Sequence, residues 1–360
     1  MLLVRLIHRL LVWFNVLFAL ALVLTYLSVY VNPENFWFAA VLGLFYPMFL
    51  LINLLFLVYW IFRWRKFVFI SLIAIILGLN HFNSFIQLPF GKTKKDNADL
   101  KVMSYNVNLF RLYSWSDQKA SFHDILKYIS NNQIDVVCLQ EYFTKNDGYN
   151  KEDAERISGM RVYPSYLLKR ATTAYGLAIL TNLPVINKGE IAFSNSLNAC
   201  MYVDLLTGND TIRIYNLHLQ STRLKERNFN FLLRNEFKID SKNYDEFRDL
   251  VSRLGVAFQK RAKQVNQVLE HINDCKYPVL ICGDFNDSPI SYTYQTLTKQ
   301  LHDTFKDAGI GVETTFSGIW PSYRIDYILR SNHFLTTQYS SPRLNYSDHY
   351  PIIVGVKLKR

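Results

Sequence analysis

Charge is scarce at the start of this chain. Eight of its 40 Lys and Arg and three of its 29 Asp and Glu precede residue 101, and none falls within 10–33, 35–62 or 67–91. Uncharged runs of that length suit hydrocarbon better than a water-exposed surface. Cysteine is sparse as well. Cys138, Cys200, Cys275 and Cys282 are the whole set and include no CxxC pair, which excludes a zinc pattern and a disulfide-dense scaffold. Cys138 and Cys282 sit inside apolar runs and read as small core residues. Cysteine usage leaves the redox compartment open. Internal repeats and low-complexity segments are missing, which excludes solenoids and repetitive linkers. A large basic excess is missing too. Beyond residue 100 the remaining 32 basic and 26 acidic residues leave a net +6, which tolerates an anionic partner without demanding nucleic acid.

What is present divides the chain. Residues 1–90 read as a membrane region with about three transmembrane helices, at about 10–31, 36–62 and 67–88. Arg5 and Arg9 precede the first block; Trp37, Tyr59 and Trp60 lie near the ends of the second, as interfacial aromatics do. No small-residue cleavage site follows the first block and further blocks come after it, which speaks against a removed signal peptide. The N-terminus and the loop Arg63-Trp64-Arg65-Lys66 are basic, while the turn around Asn32-Pro33 has no Lys or Arg. The positive-inside rule then puts the N-terminus in the cytoplasm. Three spans leave everything after residue 90 on the outer face, which is the expectation here. A third block that only lies on the surface would leave it cytoplasmic, and Lys92, Lys94 and Lys95 lean that way.

Residues 91–99 form a polar linker, and 100–360 a soluble domain. Its apolar patterns predict strands at Leu100–Val107, Ile134–Leu139 ending in Gln140-Glu141, Tyr175–Leu180, Cys200–Leu206, Thr211–His218, Val279–Cys282, Ile325–Arg330 and Ile352–Lys357. Thr207-Gly208-Asn209-Asp210 makes a hairpin of two of them. Helical spacing covers Phe122–Ser130, much of Thr222–Asp274 and Ser291–Leu301. Helices between strands that outnumber them point to α/β or α+β with two sheets.

Many of these strands end in a polar residue able to bind metal or phosphate. They are Asn106, Glu141, His218, Asp284 with Asn286, Asp326, and Asp348 with His349. In Val279-Leu280-Ile281-Cys282-Gly283-Asp284-Phe285-Asn286, alternation sends Asp284 and Asn286 to one side and Phe285 to the other. A carboxylate can hold a hard cation or orient a water, and an amide can donate to a phosphate oxygen. Each residue alone also has a structural use: Asn106 in a turn, Glu141 as a solvated strand end, His218 in the core, Asp326 as a paired buried acid, Ser347-Asp348-His349 as a turn before Pro351. Jointly they differ, because strand ends of one sheet converge in space. Several such groups are expensive to bury at one mouth without purpose.

Taken in order, Tyr105-Asn106-Val107, Leu139-Gln140-Glu141, Tyr175-Gly176-Leu177-Ala178-Ile179-Leu180, Asn216-Leu217-His218-Leu219, Gly283-Asp284-Phe285-Asn286, Arg324-Ile325-Asp326-Tyr327-Ile328 and Ser347-Asp348-His349-Tyr350-Pro351 resemble the endonuclease/exonuclease/phosphatase superfamily, the deoxyribonuclease-I-like fold. The resemblance runs from about residue 100 to the C-terminus and does not reach 1–90. It implies an α+β, four-layer α/β/β/α sandwich behind a small transmembrane helical region, with the site at one edge of the sandwich.

By that resemblance Glu141 is the principal metal ligand, with Asn106 and Asp348 close by. The ion is Mg²⁺, with Mn²⁺ as the substitute. Asp284 orients or deprotonates the attacking water, Asn286 holds the phosphate, and His349 contacts it with Asp326 fixing its tautomer. His218 binds a phosphate oxygen or assists the leaving group. Whether His349 is base or electrostatic clamp stays open. Abasic-site endonucleases of the superfamily tend to carry a Tyr where His218 stands, so His218 is similar to the deoxyribonuclease, sphingomyelinase and phosphatase branches.

The expected function is a membrane-anchored, Mg²⁺-dependent phosphodiesterase acting on a lipid headgroup or a nucleic acid. Its partners are the bilayer, through residues 1–90, and the phosphoester substrate; no obligate protein partner is evident. The competing class is a non-catalytic membrane-tethered binding module, whose mark would be a lost site residue, and none is lost. Thr222–Lys260 is longer than the family pattern and mixes Arg223, Lys225, Arg227, Arg234 and Lys238 with Phe229, Phe231 and Phe237. It reads as an arm for an anionic lipid surface or polyanionic substrate, or as a solvated helical hairpin. The interspersed acids favour the hairpin.

Overall fold

A computed structural model describes residues 2–63, 66–89, 98–111, 121–146, 149–222, 241–317 and 324–359. Trp64 and Arg65 of the basic loop, linker residues 91–97 and the basic and aromatic residues of the arm between 223 and 240 lie outside the described residues. By contacts the chain forms two compact units. One comprises Met1–Phe85, Thr222–Lys263 and Ser288–Gln295; the other comprises Ile86–Ser221, Gln264–Asp287 and Thr296–Arg360.

The first unit is built inside out. Helix Leu2–Thr25 runs on as a 3-10 turn, Tyr26–Val29. It is helical from its first residues, so Arg5 and Arg9 lie exposed on its opening turns rather than ahead of a span beginning at Leu10. Trp13, Leu17 and Leu20 point outward, while amides and hydroxyls point in. Asn15 Nδ2 donates to Ser71 Oγ at 2.6 Å, Trp60 Nε1 to Asn15 Oδ1 at 2.9 Å, and Asn53 Nδ2 to Phe18 O at 2.9 Å. Helices packed in lipid favour this arrangement, because hydrocarbon supplies no hydrogen-bond partners. Leu3–Val29 is long and apolar enough to cross a membrane; Phe38–Leu44 with Tyr46–Phe62, bent by 52°, and Val68–Leu77 with Leu79–Phe85, bent by 69°, pass the same test only as pairs. Pro47 sits in the first turn after one break and Gly78 at the other, residues that interrupt a helix by lacking an N–H or a Cβ.

The second unit holds the strands. In chain order they are β1 (Ile86–Gln87), β2 (Leu100–Asn106), β3 (Val136–Lys145), β4 (Arg161–Lys169), β5 (Thr173–Thr181), β6 (Val185–Ala192), β7 (Ala199–Thr207), β8 (Asp210–His218), β9 (Val279–Asp284), β10 (His302–Asp303), β11 (Gly311–Val312), β12 (Asp326–Arg330), β13 (Phe334–Ser340) and β14 (Ile352–Leu358). One six-stranded sheet has the order β13-β14-β2-β3-β5-β4, the other β10-β12-β9-β8-β7-β6, and β1 pairs with β11. Alternation sorts their side chains. Val102, Val136, Cys138 and Ile179 meet Val203, Ile214, Leu280 and Cys282 between the sheets. Met103, Val137, Leu139 and Ala178 face the other way, against Ile125, Leu126 and Ile129 of helix Ser121–Asn131. The outer face of the second sheet meets the end of helix Ser241–Asn273, where Tyr215 Oη and His271 Nδ1 lie 2.8 Å apart. The expected four layers result.

β4, β6 and β13 were not expected, nor was helix Lys151–Ser158. All three strands lie at sheet edges. Edge strands bury one face weakly and carry polar residues and proline, here Pro164, so the alternation that betrays a central strand is faint. A second correction concerns Glu141. The strand does not stop there; β3 continues to Lys145 through a register shift between Leu139 and Tyr142. One extra residue is accommodated there, and Glu141 takes φ 53°, the mark of a β-bulge. Just past the bulge Tyr142 pairs with Gly176, where a methyl group would come within 1.9 Å of Ser165 O.

Beside the bulge a side chain from the other sheet reaches two backbone carbonyls. Asn216 Nδ2 donates to both Leu139 O and Ala178 O at 2.9 Å, and its Oδ1 accepts from Gln140 Nε2 at 2.7 Å. Both amides are fully buried. Asn216→Leu keeps the volume and removes all three bonds. The variant is expected to lose about 3 kcal/mol, near 10 °C in the unfolding midpoint, measured by thermal unfolding of the full chain in detergent. A midpoint unchanged from the parent would show that the amide does not hold the bulge.

Candidate active site

The second sheet places three titratable groups in one lateral row. Asp326 on β12 is the register partner of Asp284 on β9, and Asp284 is the partner of His218 on β8. Paired residues on neighbouring strands point to the same face with Cβ atoms ~5 Å apart. The first sheet contributes Asn106 from the end of β2 and, from the loop leading into β14, Asp348 and His349. Asp284 is where they meet. Asn106 Nδ2 donates to its Oδ2 at 3.0 Å, and that oxygen lies 3.7 Å from His218 Nε2 and 3.9 Å from His349 Nε2. His349 Nδ1 is hydrogen-bonded to Asp326 Oδ2 at 2.9 Å. Glu141 joins through His218, Oε1 to Nε2 at 3.9 Å; among the described residues its carboxylate has no nearer ion-pair partner.

The loops are pinned by groups the sequence did not single out. Thr315 Oγ1 accepts from the backbone N–H of Ile325 and of Asp326 at 3.0 Å, and Tyr350 N donates to Thr315 O at 2.7 Å. Ser317 N and Oγ donate to Asp348 O at 2.7 and 2.8 Å, and the Phe316 ring lies 5.0 Å from that of His349. Ser347 Oγ donates to Asn106 O at 2.8 Å, tying the His349 loop to β2. Asn216, quoted above only as part of a motif, is a positioning residue beneath Glu141. Its one sequence signal is an amide in an otherwise apolar strand.

One expectation about direction fails. β9 ends at Asp284 and Asn286 takes φ 53°, so strand alternation does not govern it. Asn286 N donates to Asp284 Oδ1 at 2.8 Å, and its Nδ2 donates to Leu219 O at 3.0 Å. Asn106 plays both of the parts open to it: its Oδ1 closes a turn by accepting from Asn108 N at 3.0 Å, while its amide reaches Asp284.

Burial sets the electrostatics. It pushes the Asp284 carboxyl up to about 6, helped by the nearby charge of Asp326 and opposed by His349, His218 and Asn106. Burial alone would lower His349; Asp326 and Asp284 outweigh it and raise it to about 10, so this ring is a cation at neutral pH. Glu141 is raised by burial, with His349 pulling it down and Asp348 pushing it further up. Asp284, Asp326 and His349 have ligand atoms within 4.8 Å of one another, yet a protonated imidazole repels a cation, and His349 Nδ1 already occupies Asp326 Oδ2. Asn106, Glu141 and Asp348 offer oxygen atoms of the kind a hard dication takes, and Glu141 feels the nearby charge of Asp348 and a hydrogen bond from Asn106.

Two face-packed sheets under two helical layers, with a carboxylate–imidazole row at one rim, define a phosphoesterase fold of the deoxyribonuclease-I-like kind. The chain belongs to the Endonuclease/Exonuclease/phosphatase family, whose profile matches residues 103–349. A second profile, for a domain of unknown function, matches residues 8–85. Among solved structures, the chain is similar to the human nocturnin catalytic domain, with 19% identity, TM-score 0.52, and 76% of this chain and 99% of that one covered. It is also similar to an endonuclease/exonuclease/phosphatase from Beutenbergia cavernae, at 16% identity and TM-score 0.52 over 73% and 72% of the two chains, and to one from Bacteroides vulgatus, at 15% and 0.52 over 72% and 99%. No curated protein matches in sequence.

The His349–Asp326 bond makes stability depend on pH. His349 has a higher pKa folded than the ordinary value near 6.5, so its contribution is complete below about 6.5 and disappears as pH rises through about 10. Asp326→Asn removes the largest raising charge. His349 is then expected to titrate lower, and the loss of stability, which begins near pH 6.5, to be complete at a lower pH. NMR titration of the ring proton checks the first point and unfolding midpoints across pH the second.

Proposed function

We propose that the chain is a membrane-anchored, Mg²⁺-dependent phosphoester hydrolase acting on a phosphodiester of a lipid headgroup or nucleic acid. The observation that carries this reading is the Asp284 carboxylate, buried yet met by Asn106, His218 and His349 from both sheets. Glu141, Asn106 and Asp348 are the residues to hold the ion, with Mn²⁺ as the substitute. When bound, it polarises a phosphoryl oxygen and offsets charge on the leaving group.

The protein's own groups do the rest. Asp284, raised to about 6, is a stronger base than an ordinary carboxylate and takes the proton of an attacking water. His349, held as a cation in one tautomer by Asp326, donates from Nε2 to a phosphoryl oxygen. His218, between Glu141 and Asp284, binds a second oxygen or protonates the leaving group. The Asn286 amide spends one N–H on Leu219 O and keeps the other for the phosphate. The human nocturnin catalytic domain holds a sulfate anion, an anion of the same shape as the group proposed here.

The membrane placement proposed is multi-pass, with the catalytic part (100–360) on the outer face, after spans near 10–31, 36–62 and 67–88 and a linker at 91–99. Supporting it, within the unit of the N-terminal helices, Ser28 Oγ donates to Ile290 O at 2.8 Å and the Trp37 ring lies against Gly255. Ser28 and Trp37 flank the turn between the first and second apolar blocks, which lacks Lys and Arg. Ile290 and Gly255 come after residue 100 in sequence and belong to the same unit as this turn, which favours the side opposite the N-terminus. Arg5 and Arg9 put the N-terminus in the cytoplasm.

Two measurements test these points. Hydrolysis of bis(p-nitrophenyl) phosphate is expected to stop with EDTA and return with Mg²⁺, and Glu141→Gln or His349→Ala to lower kcat/KM by ~10²-fold or more. Unchanged, metal-independent turnover removes the reading. Cys275 is part-exposed while Cys138, Cys200 and Cys282 are buried. In intact cells Cys275 is expected to react with a membrane-impermeant maleimide; labelling only after permeabilisation places the domain in the cytoplasm instead.

A further inference from the structure

The catalytic rim also carries an apolar cleft that phosphoester chemistry does not use. It encloses about 260 Å³ and is lined by Leu109, Phe143, Leu168, Arg170, Tyr175 and Leu197, among others. It continues the site along the chain. Leu109 is three residues past Asn106, Phe143 is two past Glu141, and Leu197 is two before Ala199, the register partner of His218. Phe143 and Tyr175 are themselves a cross-strand pair of β3 and β5. Leu168 and Leu197 keep 39% and 44% of their surface in water, an arrangement that favours an apolar occupant.

Leu109 reaches this cleft from an unusual turn. Asn108, Leu109, Phe110 and Arg111 all have φ between 45° and 54°. Left-handed backbone is unfavourable at each residue with a Cβ and persists where the surroundings impose it, often beside functional sites. Arg170 is exposed, and its guanidinium makes no ion pair among the described residues. An apolar trough beside the proposed phosphate site, with an exposed cation on its rim, matches a molecule that is greasy at one end and anionic at the other.

We propose that this cleft is a subsite for the alkyl or acyl chain of an amphiphilic phosphoester, with Arg170 attracting its anionic end. The proposal rests on the hydrolase reading above and narrows its substrate class to lipid-like phosphoesters. The volume is near the small end of ligand pockets, which run from ~300 Å³ upward, so it takes the first several carbons of one chain rather than a whole diacyl lipid.

The test uses full-length protein in detergent and a series of p-nitrophenyl alkyl phosphates from methyl through butyl and hexyl to octyl. Each buried methylene is worth roughly fourfold, so kcat/KM is expected to climb with chain length and then level off. Leu168→Asp and Leu197→Asp, both at part-exposed positions, are expected to flatten that climb and leave methyl-ester turnover unchanged. A flat series in the parent protein, or the same climb in both variants, overturns the subsite. Matching alkyl phosphonates, which are not hydrolysed, report the same dependence as calorimetric affinity. Affinity that rises with chain length without any ester hydrolysis keeps the subsite and overturns the hydrolase reading. Hydrolysis without chain-length dependence does the reverse.

Discussion

A buried amide contact holds the two sheets at the level where the polar row begins. Gln140 comes from one sheet and Asn216 from the other, 2.7 Å apart. Asn216 spends both of its N–H groups on Leu139 O and Ala178 O, the pair beside the bulge in β3. The bulge in turn gives Glu141 its left-handed backbone and its place beside His218. An apolar residue in place of Asn216 would strand three polar groups in a region without water, which is why one side chain governs both inter-sheet contact and site geometry.

Above that level the problem is charge. Asp284 and Asp326 are neighbours in the ladder and both are buried, and like charges that close together resist joint ionisation. The structure answers by drawing donors from the opposite sheet: the Asn106 amide to Asp284 and the His349 ring to Asp326. Each of these bonds crosses between sheets, so the row is tolerable only while the sheets stay packed. Removing a partner would leave a buried charge uncompensated, several kcal/mol in the wrong direction.

The unit of the N-terminal helices exposes much apolar surface and encloses a small polar network. Trp13, Leu17 and Leu20 face out, while Asn15, Asn53, Ser71 and Trp60 share internal hydrogen bonds, an arrangement suited to a surrounding that offers no hydrogen-bond partners. Ser28 and Ile290 show that a segment following Asp284 in the chain shares this interior.

The sequence by itself determined the central strands, because residues such as Val102, Val136 and Ile214 alternate with a period of two and two apolar faces leave a strong signal. It determined the residue types of the site, because strand ends carrying Asn106, His218, Asp284 and Asp326 form an ordered set. Edge strands β4, β6 and β13 were hidden, since half of an edge strand meets water and tolerates any polar residue. Only the tertiary structure decided that Glu141 sits on a bulge rather than a strand end, that Asn286 leaves the alternation, and that Asn216 and Thr315 position the groups around them. Those features come from pairings tens of residues apart, and hydrogen-bond partners that distant leave no local periodicity to read.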